Sequence, residues 1–412
     1  MYRVANLREL LRLRGRGIRV GRNVVLLGLV SFFTDISSEM VAAILPLYLV
    51  YTLGFSPLQF GVVDGVQQGA AAIVRVLGGF LADRTRRHKE VAALGYGISA
   101  ASRLGLLFAN SVQALGAIVF LDRTGKGVRT APRDALISLS SERDQLATSF
   151  GVHRSLDTAG AMLGPLLAFS LLTLTPGEFD AIFVVSFCAA LVGLGLLVLF
   201  VENRPVLARD DSPVSVLAAA RLLGTRRFRV LVAVAGALGL VTISDGFLFI
   251  ALQRRVDFEP RLLPLLFVGT ALAYMFLAIP VGRVADRFGR GRTFVAGYLP
   301  LLVAYVLLLL PAGPSAEIPV YLVLLGLYYA ATDGVLMALA SATLPPPLRG
   351  SGLALLVTST SLGRLLASIF FGMIWTWYDV ETAIAVFAIA LCIAMVLAGA
   401  ALRLTPEASP AE

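Results

Sequence analysis

The stretches GGFLADRTRRHK (residues 78–89) and VGRVADRFGRGR (residues 281–292) decide how this chain is read. Each closes one long apolar run, turns through a cluster of cations, and opens another apolar run. Gly79 and Gly282, Asp83 and Asp286, and Arg84 and Arg287 match at a single offset of 203 residues. The chain therefore repeats itself. Six apolar runs fall in each copy, and an even number brings both halves in from the same side. That is a parallel repeat, related by an axis along a membrane normal.

Working outward, the composition supports the same reading. Of 412 residues, 58% are hydrophobic and 15% charged, against about 25% charged in a soluble domain. The apolar residues fall in blocks long enough to span a bilayer. The runs are 23–53, 57–82, 90–110, 112–137, 146–174, 179–201, 229–252, 261–283, 293–311, 318–343, 351–376 and 380–402. Twelve spans of roughly 20 residues use about 240 residues and leave no room for a separate soluble domain. The first run is too long for a signal-peptide core and is read as an uncleaved span. Cys188 and Cys392 lie in apolar runs and imply no disulfide framework.

The net charge of +9 is carried almost wholly by arginine. Nucleic acid is one reading of a basic chain, but these cations cluster at span ends. Arginines 3–22, the 84–89 turn, the 204–227 connection and the 287–292 turn share one side. The opposite turns near Gly54, Asn110 and Pro176 are nearly charge-free; the Arg254, Arg255 and Arg261 group is the exception, offset by Asp257 and Glu259. Both termini are therefore expected in the cytoplasm, with Trp375 and Trp377 as aromatic anchors at the outer end of span eleven. The expected divisions are a basic segment 1–22, a bundle 23–201, a linker 202–228, a bundle 229–404 and a tail 405–412.

The two quoted stretches resemble the G-x-L-A-D-R-x-G-R-K signature of the major facilitator superfamily, with Gly289 kept in the second copy and Arg86 in its place in the first. Span five carries Gly151, Gly160, Gly164 and Pro165, similar to the motif of bacterial drug:proton antiporters in that superfamily, with Ala168 and Phe169 where its last glycine pair stands. Arg123 and Gly127 fit the fourth-span motif. The resemblance implies an all-α polytopic membrane protein of twelve helices in two six-helix bundles, working by alternating access. It also implies gating roles for Gly79, Asp83, Arg84, Arg87, Gly282, Asp286, Arg287, Gly289 and Arg290. Asp83 would hold the cytoplasmic side closed against span eleven, and Asp286 would do so toward span five.

A charge inside hydrocarbon costs at least ~2.5–3.5 kcal/mol, so such residues need partners, water or a function. The first half holds Asp35, Glu39, Asp64, Asp122 and Asp157 against Arg75, Arg123, Lys126, Arg129 and Arg154. The second half holds few: Asp245, Asp333 and Arg364. Ser31, Asp35, Ser38 and Glu39 share one face of span one. Two acids one turn apart with no neighbouring base suit a proton carrier, so Asp35 and Glu39 are the expected coupling residues. Asp64, Arg75, Asp122, Arg123, Lys126, Arg154 and Asp157 form the expected charge network; static pairing is the plainer reading for Arg154 with Asp157 and for Arg129 and Arg133. His153 is read first as a polar packing residue. Asp245, Tyr328, Asp333, Thr358 and Arg364 are expected to line a solute cavity, with ordinary interhelical contacts as the alternative.

No H-E-x-x-H, G-x-S-G or phosphate-cradling loop occurs. The expectation is a non-enzymatic secondary transporter of a bacterial inner membrane, a monomer, with no cofactor, no metal and no nucleic-acid partner. Its partners would be a small-molecule substrate, protons and the lipid bilayer. Proton-coupled efflux is the first reading and proton-coupled symport of an anionic nutrient the alternative. A membrane receptor or intramembrane enzyme is the alternative of a different class.

Overall fold

The computed structural model describes residues 21–85, 87–141, 145–203, 222–311, 317–344 and 349–403. Most of the 202–228 linker, the N-terminal arginines and the side chains of Arg75, Asp83 and Arg84 lie outside this description, as do the surroundings of Gly79. The expected gate contact of Asp83 falls there.

The described residues are helical, with no strand among them. In the first half α1 is Arg22–Leu47, α2 Pro57–Thr85, α3 His88–Leu106, α4 Val112–Leu139, α5 Leu146–Leu174 and α6 Phe179–Phe200. In the second half α7 is Arg226–Leu240, α8 Asp245–Val256, α9 Leu263–Phe288, α10 Arg290–Ala296, α11 Tyr298–Leu309, α12 Glu317–Thr343, α13 Arg349–Trp377 and α14 Val380–Arg403. Nine helical stretches among the described residues are long and apolar enough to cross a bilayer. Large apolar side chains such as Leu174, Leu199, Phe276, Ile279 and Val396 stand exposed along them. A surface this apolar is solvated by lipid, not water, so the chain is a multi-pass membrane protein.

Local chemistry sets the ends. Ser56 and Gln59 form a reciprocal cap at the start of α2. The Ser56 amide donates to Gln59 Oε1 at 2.9 Å, and the Gln59 amide donates to Ser56 Oγ at 3.3 Å. Pro57 sits at the first helical position, where its missing N–H costs nothing. The Asp379 carboxylate accepts the Thr382 amide at 2.6 Å to start α14. That backbone bond holds the exposed Asp379 carboxyl below its usual range. Gly289 separates α9 from α10 at φ 101°, a conformation that only glycine adopts without strain.

Two expected spans are interrupted. The run 229–252 breaks at Val241–Ser244, because Tyr305 offers the backbone another partner. Its hydroxyl accepts the Ile243 amide at 2.7 Å and donates to the Val241 carbonyl at 3.3 Å. The run 293–311 bends at Gly297, where a Cβ would meet Ala331 Cβ at 2.6 Å. Trp375 is also not the interface anchor expected. It is 7% exposed, packed between Phe247 and Phe371, with the Arg254 guanidinium 5.0 Å from its ring. Trp377 is 66% exposed and does fit that place.

Within the first half α1 packs on α5 and α6, and α4 on α2 and α3. Within the second, α9 packs on α12 and α7 on α13. The halves meet through α2 with α13 and through α5 with α9. The first of these contacts is glycine-lined. A Cβ at Gly61 would strike the Ser368 carbonyl oxygen, and one at Gly65 would lie 2.8 Å from the Leu365 carbonyl oxygen. One at Gly69 would lie 2.5 Å from the Leu365 side chain, and one at Gly372 would strike the Pro57 carbonyl oxygen. Tyr51 donates to Gln253 Oε1 beside this seam, and Phe60 packs edge-on to Phe247. The halves are thus closed at the end bearing the 53–57 and 377–380 turns. Gly61→Val is expected to overpack this seam by ~1–3 kcal/mol and shift the population toward separation there. Spin labels at Leu53 and Tyr378, with Cys188 and Cys392 replaced by Ala, should read a longer distance. An unchanged distance with full transport would refute the seam's role as a gate.

Candidate functional site

The first-half charges are ordered by close helix contacts. On α3 and α4, Gly95 and Gly125 face each other, and a Cβ on Gly125 would lie 2.5 Å from the Gly95 carbonyl oxygen. That approach lets Ser99 Oγ donate to the Asp122 carbonyl at 3.2 Å. One turn further, Arg103 Nη2 reaches Asp122 Oδ1 at 2.8 Å, with side chains 4% and 5% exposed. Arg103 also donates to Ser38 Oγ of α1 at 3.2 Å. Arg123 Nε lies 3.4 Å from Asp122 Oδ2 without hydrogen-bond geometry. Arg129 is 3% exposed, with its guanidinium 4.5 Å from the Tyr96 ring centroid.

The α1–α5 contact sets the second group. Cβ atoms at Gly160 and Gly164 would run into the α1 backbone at Phe32 and Ile36, the latter at 2.8 Å. The two helices therefore lie close enough to set Asp35 and Asp157 beside each other. Two carboxylates set this way repel when both are ionised. Asp157 also meets Arg154 Nη1 at 3.0 Å and Arg133 Nη1 at 3.7 Å. Arg154 is 74% exposed, so this static pair is loosely held. Arg133 pairs with Asp134 at 2.9 Å. One turn toward the open end, Ser31 Oγ accepts Arg133 Nη1 at 3.2 Å and lies 2.9 Å from His153 Nε2. His153 is buried as a partner of Ser31, which fits the packing role. The premise that Asp35 and Glu39 have no neighbouring base is overturned: Lys126 of α4 lies within electrostatic reach of both. Four helices converge here, and helical spacing along α1 alone does not show what α4 brings in.

The third group lies where the halves meet. Asp64 accepts Ser368 Oγ of α13 at 2.6 Å, with Gln68, Ser244 and Arg123 also near its carboxylate. It belongs to the seam more than to the first-half network. Asp245, at the start of α8, accepts the Tyr329 hydroxyl at 2.8 Å. Arg364 donates to Tyr328 at 3.3 Å and lies 4.0 Å from Asp333, which is 54% exposed. Thr358 does not join them, since its hydroxyl is spent on the Ala354 carbonyl of its own helix at 2.8 Å. Asp245 and Tyr329 thus stand beside Tyr328, Arg364 and Asp333 in one polar cluster.

Comparison with known proteins fits this architecture. The family model described as Major Facilitator Superfamily matches residues 27–258 and 240–412. The chain belongs to the Major Facilitator Superfamily. An uncharacterized MFS-type transporter of Methanocaldococcus jannaschii is 30% identical over 370 residues, covering 86% of this chain and 89% of that one. An uncharacterized protein of Mycobacterium tuberculosis is 34% identical over 158 residues, 38% of each chain. Among solved structures, the nucleoside transporter NupG aligns with TM-score 0.77 at 16% identity, covering 92% of this chain and 99% of that one. A bacterial homolog of the human lysosomal transporter Spinster, inward-facing and unoccupied, aligns with TM-score 0.72 at 15% identity, covering 94% and 98%. A POT family transporter in complex with 5-aminolevulinic acid gives TM-score 0.77 at 13% identity, covering 94% and 97%. At these identities the likeness is one of fold. The chain is a membrane transporter of this superfamily and not an enzyme.

The superfamily's signature positions can be placed on this frame. Asp286 bonds Arg290 one turn on, at 2.8 Å on an exposed surface, with no ion pair to span five among the described residues. Arg287 and Arg87 are exposed. Cβ atoms at Gly151 and Gly282 would meet nothing within 4 Å, whereas Gly160 and Gly164 are required by the α1 contact. Pro165 is buried beside them within α5. Sequence reasoning missed Arg103, although Gly95, Ser99 and Arg103 lie on one face at four-residue spacing.

Proposed function

We propose that this chain is a secondary active transporter that moves a small solute by alternating access and couples it to protons. One observation carries the proposal: the close approach of α1 and α5 at Gly160 and Gly164 sets Asp35 beside Asp157, where a proton relieves the repulsion of two acids. Loss of the proton leaves two like charges inside the first bundle, on the helices α1 and α5 that meet α9 of the other half. With both termini cytoplasmic, the closed seam is outer and the structure faces inward. Bundles 23–201 and 229–404 are then the moving bodies, in a bacterial inner membrane, as a monomer.

Efflux by solute–proton exchange is supported by the span-five motif. Its Gly160 and Gly164 serve helix packing, which is neutral as to direction. Symport of an anion is favoured by a specific observation, the cations gathered on α4 around Asp122. The test is solute flux in proteoliposomes under an imposed pH gradient, with an internal pH dye. Flux should collapse with a protonophore and persist without sodium. Flux that ignores the protonophore and needs sodium would overturn the proton assignment.

A further inference from the structure

We propose that the solute carries an oxyanion, a carboxylate or phosphate, which seats on Arg123 and Lys126 of α4 and travels together with the proton. The second clause rests on the proton-coupled reading above; the first stands without it. Four cations, Arg103, Arg123, Arg129 and Lys126, surround the single carboxylate of Asp122. Only Arg103 is hydrogen-bonded to it. Lys126 has no carboxylate within 4 Å among the described residues. Buried Arg103 Nε, Arg123 Nε and Arg129 Nη1 have no acceptor. Buried donors without acceptors are rare in folded proteins and point to a missing partner. Arg103 and Arg129 are fixed between α3 and α4, whereas Arg123 and Lys126 are half-buried and one turn apart on one face. A guanidinium fork and an ammonium one turn apart suit a carboxylate or phosphate.

The acids nearby do not compete for this role. Asp157 is held by Asp35, Arg133 and Arg154. Asp64 and Asp245 are bonded to Ser368 and Tyr329 at the junction of the halves. A cationic solute approaching Asp35 and Glu39 would meet Lys126 standing beside them.

The direction of coupling follows from the same geometry. Asp35 faces Glu39 on its own helix, Asp157 of α5, and Lys126 and Arg129 of α4. The α6 contact sets Ser186 against Ser37, and the α6 acid, Asp180, lies near Tyr48. An anion seated on Lys126 places negative charge close to Asp35 and Asp157, where a proton relieves the repulsion. By reciprocity, protonation tightens the anion. The two then bind together and cross in the same direction; a cation would displace the proton instead.

The test uses the purified full chain in detergent. The probe is a deproteinised small-molecule extract of bacterial cells, split by anion exchange into retained and flow-through fractions. The retained fraction should raise the unfolding midpoint by ~3 °C, and the flow-through should not. The shift should vanish in Lys126→Gln and Arg123→Gln and return in Lys126→Arg. A shift from the flow-through alone, from neither fraction, or one that survives both glutamine variants overturns the oxyanion site. In the wild type the shift should shrink from acidic to alkaline pH, and in Asp35→Asn it should not. A shift that grows with pH overturns co-movement. A Lys126-dependent shift that ignores pH leaves the anion site standing and removes proton coupling at Asp35.

Discussion

Asp35→Asn is expected to reduce pH-gradient-driven flux to the level of empty liposomes while leaving solute exchange without a gradient measurable. Asparagine keeps the size and can still donate a hydrogen bond but cannot release a proton. The Asp35–Asp157 pair then no longer alternates between protonated and repelling forms. Asp157→Asn should be comparably damaging, with an added loss of the partner of Arg133 and Arg154. Glu39→Gln should be milder, since Glu39 reaches Lys126 but makes no carboxyl contact. Gradient-driven flux at the wild-type rate in Asp35→Asn would remove Asp35 from coupling.

The largest loss of stability is expected from Arg103→Leu. Its ion pair with Asp122 is almost wholly buried, and removing one partner strands the other, at a cost of ~3–5 kcal/mol. Arg123, 3.4 Å from the same carboxylate, offsets part of that cost. Replacing both partners, Arg103→Met with Asp122→Leu, should recover much of the stability, because no charge is then left unpaired. Arg154→Ala should change stability by less than ~1 kcal/mol, its side chain being 74% exposed. Unfolding midpoints in detergent check the set. If Arg103→Leu matches the wild type, or the double variant is worse than the single, the buried pair is not what orders the first half.

What the sequence made legible follows from local rules. The repeated Gly–Asp–Arg turns and the apolar runs specify helices and two halves, because membrane crossing forces every backbone bond inside a segment. The glycines of α5 could be read as a close contact, because spacing by four puts them on one face. The break before Asp245 could not be read, since the partner that stabilises it, Tyr305, comes from another helix. Lys126 beside Asp35, Arg103 on Asp122 and Ser368 on Asp64 are likewise pairings between helices. Helical periodicity gives the face a charge occupies but not which face it meets. Thr358 illustrates the converse: a polar residue in the right region is satisfied by its own backbone.

The most direct test of proton coupling is proton uptake by the purified protein in weakly buffered solution on adding its stabilising solute fraction. The account predicts about one proton taken up per protein molecule in the wild type and none in Asp35→Asn, with the solute still bound in both. Equal proton uptake by the two proteins, or none in the wild type when binding is saturated, would contradict it.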